Sequence, residues 1–376
     1  MRGPSLPEIV REWGRIGCLG FGGPPAHIAM LHELCVVRRR WLSNEDFENA
    51  IAATSLLPGP ASTQLAIYCA WRLRGTAGAL VGGFCFIAPS VVVILALSVA
   101  FLASSPPAWL RGAGAGAGAA VAAVAVKAGA SLVPPIWARS TPPQRIRVAL
   151  YALAGAAAAA GVGPWLVFVL LGCGAVELVW RQGGFRGLPA LLAVAPAGAG
   201  LGALAWMAFK VGALSFGGGF VIVPLMQGDA VGAYHWMTNG QFLDAVALGQ
   251  VTPGPVTATV AAVGYAAHGI GGGVLAALVA FAPSFSFVLL GAERFHRLIA
   301  NARVQAFLAG AAPAAVGAIA GSAIPLTRAL GETWQLAVLG AAVLLLFVLR
   351  RGVVLTLVAA GAAGAIVALA GGPLPR

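Results

Sequence analysis

Residues 49–71 read NAIAATSLLPGPASTQLAIYCAW, an apolar stretch long enough to cross a membrane but interrupted at its centre by Pro58-Gly59-Pro60. A proline inside a helix removes a backbone donor and clashes with the preceding turn, so we expect the helix to break here. In lipid, a broken helix is tolerated only where the freed backbone groups face protein or a water-filled cavity. The stretch therefore predicts an interrupted membrane helix whose backbone is available to a site inside the protein.

The arrangement recurs at residues 244–266, DAVALGQVTPGPVTATVAAVGYA, around Pro253-Gly254-Pro255. Further matches keep the same offset of 195 positions: Phe21-Gly22-Gly23 with Phe216-Gly217-Gly218, Trp41 with Trp236, Asn44 with Asn239, and Phe47 with Phe242. One deletion before Gly269 changes the offset to 194, which relates Gly75 to Gly269 and Pro89-Ser90 to Pro283-Ser284. Because several residue types stay in register, we conclude that two homologous halves are fused in one chain.

The composition is that of a polytopic helical membrane protein. Of 376 residues, 60% are hydrophobic and 9% are charged, and the mean hydropathy is +0.91. The net charge of +12 lies in short loops between apolar runs, which indicates membrane topology and not nucleic-acid binding. The first residues show no apolar core followed by a small-residue cleavage site, so no cleaved signal peptide is expected.

We predict an all-α fold of two inverted repeats with broken helices. Residues 1–181 form the N-terminal repeat, 182–206 a linker with one unpaired span at 188–206, and 207–376 the C-terminal repeat. Each repeat has two broken elements and then four uninterrupted spans, which makes about 13 membrane elements in all at ~20 residues per span.

The basic residues set the expected orientation, because Lys and Arg are retained on the cytoplasmic side. If the broken elements enter and leave on one face, 15 of the 23 basic residues lie inside, and only Arg111, Arg328 and Arg376 lie outside. If the broken elements crossed fully, loops 32–48 and 227–241 would change sides and the basic cluster at 38–40 would be external. We therefore predict that 38–40 and the 181–187 linker face the cytoplasm, while 229–240 and the C-terminus face outward.

Three cations enter the apolar segments. Arg15 lies six residues before Phe21 and Lys210 six before Phe216, so both occupy the same repeat position beside a break. Such a pair suggests anion binding, assisted by the N-terminal ends of the interrupted helices. The alternative is that both side chains snorkel to an interface. Lys127 is a secondary candidate, with the same alternative.

Hydroxyl and amide groups flank both Pro-Gly-Pro breaks and could donate hydrogen bonds to an oxyanion that has lost its hydration shell. For any one of them, a hydrogen bond to the preceding helical turn is the alternative. Besides Arg15 and Lys210, the candidate substrate-binding residues are Phe21, Gly22, Gly23, Pro58, Gly59, Pro60, Ser62, Thr63, Gln64, Phe216, Gly217, Gly218, Thr252, Pro253, Gly254, Pro255 and Thr257.

The sequence gives little support to catalysis. The 11 acidic residues are expected in loops or at segment ends, Asp229 and Asp244 among them, with Glu177 one turn from Arg181. No carboxylate at a span centre argues against a buried-carboxylate cation or proton site. There is no HExxH motif or nucleophile elbow, and the five cysteines lack metal-ligand spacing. We predict a protein that is not an enzyme, with no catalytic residues, metal or cofactor.

Six stretches carry the paired motifs: FGGPPAHIAMLHEL, RRRWLSNEDF, LLPGPASTQLA, SFGGGFVIVPLMQ, WMTNGQFLDAVALGQVTPGPV and FAPSF. They resemble the chromate ion transporter (CHR) family in its two-domain form, across both halves and most of the chain. The resemblance implies a multi-pass inner-membrane carrier with antiparallel halves that exports chromate, driven by the chemiosmotic gradient, and confers chromate resistance.

The sequence departs from the family pattern after the first break. It has Ala61-Ser62-Thr63-Gln64 where many members carry Glu-Ala-Gln-Gln, which leaves the exact oxyanion open. The alternative is a carrier of another oxyanion, such as sulfate, on the same fold. The expected partners are this small inorganic oxyanion and the lipid bilayer, without nucleic acid, and a homodimer stays open.

Overall fold

The protein is described by a computed structural model that covers residues 3–57, 59–103, 105–138, 140–161, 166–182, 198–215, 221–291 and 301–375. All regular secondary structure within these ranges is helical. Of the candidate residues, Pro58 and Phe216-Gly217-Gly218 lie outside the described residues, as do residues 188–197 of the predicted extra span.

The first half of the chain contains eight helical elements in its described part. They are α1 (Leu6–Leu19), α2 (Pro24–His32), the π-helical segment π1 (Glu33–Arg38), α3 (Asn44–Leu56), α4 (Ala61–Phe101), α5 (Ala108–Ala138), α6 (Pro142–Gly161) and α7 (Leu166–Gln182). Helix α4 is kinked at Arg74 and Gly75, where φ and ψ are not helical.

The second half contains a similar series. Its elements are α8 (Leu201–Leu214), α9 (Ile222–Gln227), π2 (Gly228–Ala233), α10 (Asn239–Val251), the 3₁₀ turn Val256–Ala258, α11 (Thr259–Gly291), α12 (Ala302–Gly321), α13 (Ala323–Arg328), α14 (Thr333–Val343), π3 (Leu344–Val348) and α15 (Val353–Leu369). Helix α8 runs across position 206, where the sequence places the end of the extra span.

The sequence repeat is also a repeat of local structure. The bounds of α1 and α8, of π1 and π2, and of α3 and α10 all differ by 195 residues, the offset of the motifs. The kink of α4 has a counterpart in α11 at His268 and Gly269. Arg40 and His235, which follow π1 and π2 at equivalent positions, both adopt the left-handed conformation, with φ of 51° and 53°.

Helix length separates two kinds of element. Within the described ranges, four helical stretches are long and apolar enough to cross a membrane: Ala61–Phe101, Ala108–Ala138, Val256–Gly291 and Ala302–Arg328. Shorter apolar stretches are Leu201–Leu214, Thr333–Val348 and Val353–Leu369. By contrast, α1 and α3 have 14 and 13 residues. At 1.5 Å per residue each reaches about 20 Å, which is less than the ~30 Å hydrocarbon core of a bilayer.

The two repeats are interlocked. At the centre α4 packs on α11, with α1 against α4 and α8 against α11. Further out, α5 of the first repeat packs on α14 and α15 of the second, whereas α12 of the second packs on α6 and α7 of the first. Glycines allow these close approaches, with Gly116 against the carbonyl of Ala360 and the equivalent Gly310 against the carbonyl of Cys173. The repeats therefore share one core.

Candidate functional site

The broken elements of the first repeat are helical hairpins whose two arms are tied together. In the first hairpin, the break at 20–23 lies between α1 and α2, which π1 continues. Arg38 and Arg39, at the end of π1, bind the buried Glu12 of α1 at 2.7 and 2.9 Å. In the second hairpin, Asp46 at the start of α3 lies 3.4 Å from Arg72, which is beyond the break in α4. The two arms of each hairpin are therefore held close together.

The first hairpin of the second repeat is closed in a similar way with the charges exchanged. Lys210 on α8 lies 2.7 Å from Asp229 of π2, and both side chains are buried. Just outside the hairpin, Trp236 Nε1 donates a hydrogen bond to the carbonyl of Ala199 at 3.1 Å. The two ends of this hairpin therefore also meet.

The tips of three hairpins converge on the carbonyl of Gly20. The backbone N–H of Gly254, in the second Pro-Gly-Pro, donates to this carbonyl at 3.0 Å. His27 Nε2 lies 2.9 Å from the same oxygen, and His27 Nδ1 lies 3.2 Å from Ser62 Oγ beside the first Pro-Gly-Pro. Because a carbonyl only accepts, Nε2 carries the proton and Nδ1 accepts from the Ser62 hydroxyl.

Each Pro-Gly-Pro break packs on the first helix of the other repeat. Gly59 and Gly254 have φ of 118° and 93°, which glycine adopts at no steric cost. A Cβ on Gly254 would lie 3.5 Å from the carbonyl oxygen of Gly17, and a Cβ on Gly59 would lie 3.3 Å from that of Gly212. Gly17 and Gly212 are equivalent in the repeat, so the two contacts are related by the repeat symmetry.

Buried polar groups without a partner among the described residues cluster in the same elements. Leaving such a group unpaired costs about 1–3 kcal/mol, so a set of them indicates a water or a ligand. Ser90 is one of them, and its Oγ would be 3.3 Å from a Cβ on Gly254. The side chains concerned are Thr63, Ser90, Ser215, Gln250, Thr257 and Ser284.

Other hydroxyls near the breaks donate to the preceding helical turn, which is the alternative to binding an oxyanion. Thr259 Oγ1 donates to the carbonyl of Val256 at 2.7 Å, and Thr54 Oγ1 donates to that of Ala50 at 2.9 Å. Thr252 Oγ1 makes only a long contact of 3.5 Å with the carbonyl of Gly249. The structure thus separates hydroxyls that serve their own helix from those with an unused donor, such as Thr63 and Thr257.

The candidate cations lie in different surroundings. Arg15 is exposed on α1, whereas the equivalent Lys210 is buried against Asp229. The Nζ of Lys127 lies 5.3 Å from the ring centroid of Phe347 and belongs to the packing between α5 and π3. Arg15 and Lys210 share a repeat position but do not share an environment.

The expected placement of the acidic residues in loops or at segment ends is wrong at Glu12, which is buried within α1, and at two further positions. Asp229 is buried in π2, and Asp244 lies inside α10, with its carboxylate against Gly114 of α5. π2 directly continues the short helix α9, and α10 has 13 residues, so both segments are too short to be recognised as spans from the sequence. Glu177 agrees with expectation, since its carboxylate binds Arg181 at 2.7 Å and also Arg147 at 2.8 Å.

Sequence reasoning left several residues out of the site. Ser90 and Ser284 follow Pro89 and Pro283 in register, and this repeated position beside a proline is the sequence signal that points to them. Nothing local distinguishes His27, whose two contacts come from a preceding break and from a residue 35 positions away.

Membrane-length apolar helices with paired polar breaks define a helical membrane protein. A family profile described as "Chromate transporter" matches residues 7–178 and 202–365. The chain belongs to the chromate transporter family.

Several curated proteins are similar to the chain. The "Chromate transport protein" of Cupriavidus metallidurans is 30% identical over 86% of this chain and 83% of its own length. The "Probable chromate transport protein" of Synechococcus elongatus is 31% identical over 86% and 85%, and the "Chromate transport protein" of Pseudomonas aeruginosa is 29% identical over 96% and 92%. No solved structure matches the chain. The family and these names support chromate transport, and they suggest a transporter and not an enzyme.

Proposed function

We propose that the protein exports chromate across the inner membrane, thereby conferring chromate resistance, and that it holds the oxyanion among the tips of the broken helices. The observation that carries this proposal is the convergence of the tips beside buried hydroxyl and amide groups that have no partner among the described residues. Membership of the chromate transporter family supplies the substrate.

The site would bind the anion mainly through neutral donors. Helices α4 and α11 begin just after the two Pro-Gly-Pro breaks, so their first N–H groups and their dipoles favour negative charge at the tips. Thr63, Ser90 and Thr257 add hydroxyl donors. Hydrogen bonds to a charged acceptor contribute about 1.5–3 kcal/mol each, so a few of them can replace the hydration shell of an oxyanion.

Lys210 stays a candidate contact in this proposal. Gly212, two residues further along α8, packs against the first break, but residues two apart on a helix face different sides, so this contact does not bring the Lys210 ammonium to the site. A bound dianion would have to compete with Asp229 for this ammonium. Arg15 would have to turn inward from its exposed position.

The proposed membrane arrangement is re-entrant hairpins in two oppositely inserted repeats. The pairing of Asp46 with Arg72 supports it, because full crossing of the second hairpin would put these two residues on opposite sides. On the other face, Arg111 near the start of α5 and Thr238 at the start of α10 line one cavity, and the basic-residue pattern places both positions outside.

Two matched threonines test the site. Thr257 has an unpaired buried hydroxyl, whereas Thr259, two positions further along the chain, uses its hydroxyl within the helix. In everted vesicles, Thr257→Val should weaken the apparent affinity for chromate roughly ten- to a hundredfold, and Thr259→Val should leave it near that of the wild type.

Sulfate competition in the same vesicles tests the substrate. Chromate uptake that sulfate does not inhibit supports a chromate carrier, whereas equal uptake of labelled sulfate would favour a general oxyanion carrier. Absence of chromate uptake by vesicles that contain the folded wild-type protein would contradict the proposal as a whole.

A further inference from the structure

A second polar site lies away from the helix tips, in a cavity of about 290 Å³ at the N-terminal ends of α5 and α10. Asp244 lines this cavity, and its carboxylate makes no hydrogen bond or ion pair among the described residues. The other polar side chains that line it are Arg111, Thr238, Gln241 and Gln335.

On the side away from the cavity, Asp244 packs closely against α5. A Cβ on Gly114 would lie 2.7 Å from Asp244 Oδ1, and a Cβ on Gly118 would lie 2.9 Å from the Cβ of Leu243, so α10 packs closely on α5 at two glycines. The side chain is half-buried, which leaves the cavity as its route to water. A lone negative charge is costly in such a position, whereas the protonated acid is tolerated.

The charged groups around Asp244 do not neutralise it. Arg111 faces the same cavity from α5, but its Nη2 donates to the carbonyl of Pro375 at 3.3 Å. Helix α15, which also packs on α10, contains no titratable residue. The other titratable groups on elements around α10 do not line the cavity: Lys127 on α5, Tyr68, Cys69, Arg72, Arg74 and Cys85 on α4, Tyr265 and His268 on α11, Asp229 on π2, and Arg328 and Glu332 beside α14.

The hairpin does not need a carboxylate at this position. The equivalent residue of the first repeat is Asn49, 195 positions earlier, in a helix of the same length. The equivalent helices α3 and α10 therefore differ at this position, where α3 has an amide and α10 a carboxylic acid.

We propose that Asp244 binds and releases a proton through this cavity and couples proton movement to transport. The proposal rests on the proposed function, since it names the coupling ion of that transporter. Thr238, Arg111 and Pro375 line the cavity and lie in segments predicted to face outward, so protons would reach Asp244 from the external side. Protonation removes the buried charge that opposes movement of α10, and release restores it.

Purified protein in proteoliposomes provides the main test. Asp244→Asn should retain chromate–chromate exchange, which moves no net proton, and should lose chromate accumulation driven by an imposed pH gradient. The matched control is Asp46→Asn in α3, a carboxylate exposed and paired with Arg72, which should lose neither activity. Accumulation by Asp244→Asn at the wild-type rate would overturn the proposal, as would accumulation driven by a sodium gradient and not by pH.

A second measurement uses the unmodified side chain. Dicyclohexylcarbodiimide reacts with protonated carboxyl groups in apolar surroundings, so it should label Asp244 of the wild-type protein, faster at lower pH, and should spare Asp46. If Asp244→Asn lost both exchange and accumulation, the labelling of the wild-type protein would decide whether Asp244 takes up a proton. A wild-type Asp244 that is not labelled at any pH would overturn the proposal. Failure of the wild type to exchange chromate would instead contradict the proposed function while the labelling still reported on the proton site.

Discussion

The backbone N–H of Gly254 donates a hydrogen bond to the carbonyl of Gly20, 3.0 Å away. The two glycines belong to different repeats and to different kinds of break, 234 positions apart in the sequence. The bond satisfies a backbone donor that the broken helix would otherwise leave unpaired inside the protein. It shows that the breaks of the two repeats form one structural unit.

Alanine at position 254 should impair this unit. Gly254→Ala adds the cost of a positive φ, roughly 1–2 kcal/mol, and places a Cβ 2.8 Å from the Cβ of Ser90. Gly269→Ala is the matched control, because its φ is also positive, at 64°, but no atom lies within 4 Å of the new Cβ. We expect Gly254→Ala to lose more transport per folded protein than Gly269→Ala, measured as chromate uptake at equal membrane abundance. Equal losses would mean that the close contact at the tip has no role.

The buried Lys210–Asp229 pair makes a prediction about folding. Lys210→Gln leaves the Asp229 charge buried without its partner, which costs about 3–5 kcal/mol and should lower the yield and the Tm of the protein in detergent. The exchanged double variant Lys210→Asp with Asp229→Lys should recover most of this loss.

The same double variant separates two roles of Lys210. If the lysine only ties α8 to π2, the exchanged protein should transport chromate with normal affinity. If the lysine also contacts the anion, the exchanged protein should fold but bind chromate more weakly. Lys210→Gln with unchanged Tm would contradict the structural role.

The network around Glu177 should contribute to stability. Its carboxylate accepts hydrogen bonds from Arg147 at 2.8 and 3.2 Å, from Arg181 at 2.7 Å and from Tyr151 at 3.1 Å, and it is 2% exposed. Glu177→Gln removes the charge that these arginines share, and we expect a loss of about 3 kcal/mol or more in thermal unfolding. The exposed pair of Arg72 with Asp46 offers the comparison, since Arg72→Gln should lower the free energy of unfolding by at most about 1 kcal/mol. Similar losses in both variants would disagree with the difference in burial.

Opposite insertion of the repeats can be tested at Arg40 and His235. They occupy equivalent positions, are both exposed and share a left-handed backbone conformation. Cysteines introduced at the two positions would therefore have comparable local surroundings. In a background with Cys18→Ser, which removes an exposed native thiol, a membrane-impermeant maleimide should label Arg40→Cys only from the cytoplasmic side and His235→Cys only from the external side. Labelling of both from one side would rule out inverted repeats.

Much of the fold was determined by the sequence alone. The prolines and glycines of the breaks act on their own turns, and apolar runs of membrane length act on their own helices, so breaks and long helices follow from local chemistry. The repeat could be found because its landmarks keep one offset, and the paired bounds of α3 and α10 reproduce that offset in the structure.

Only the tertiary structure decided which polar groups have partners. The contacts of Asp229 with Lys210, of His27 with Ser62 and of Asp46 with Arg72 each depend on a hairpin folding back on itself or on its neighbour. Whether a hydroxyl such as Thr257 is spare or used depends on every group that surrounds it. These contacts join segments that are distant in the sequence. Burial and pairing depend on how the helices pack together, which the local sequence does not specify.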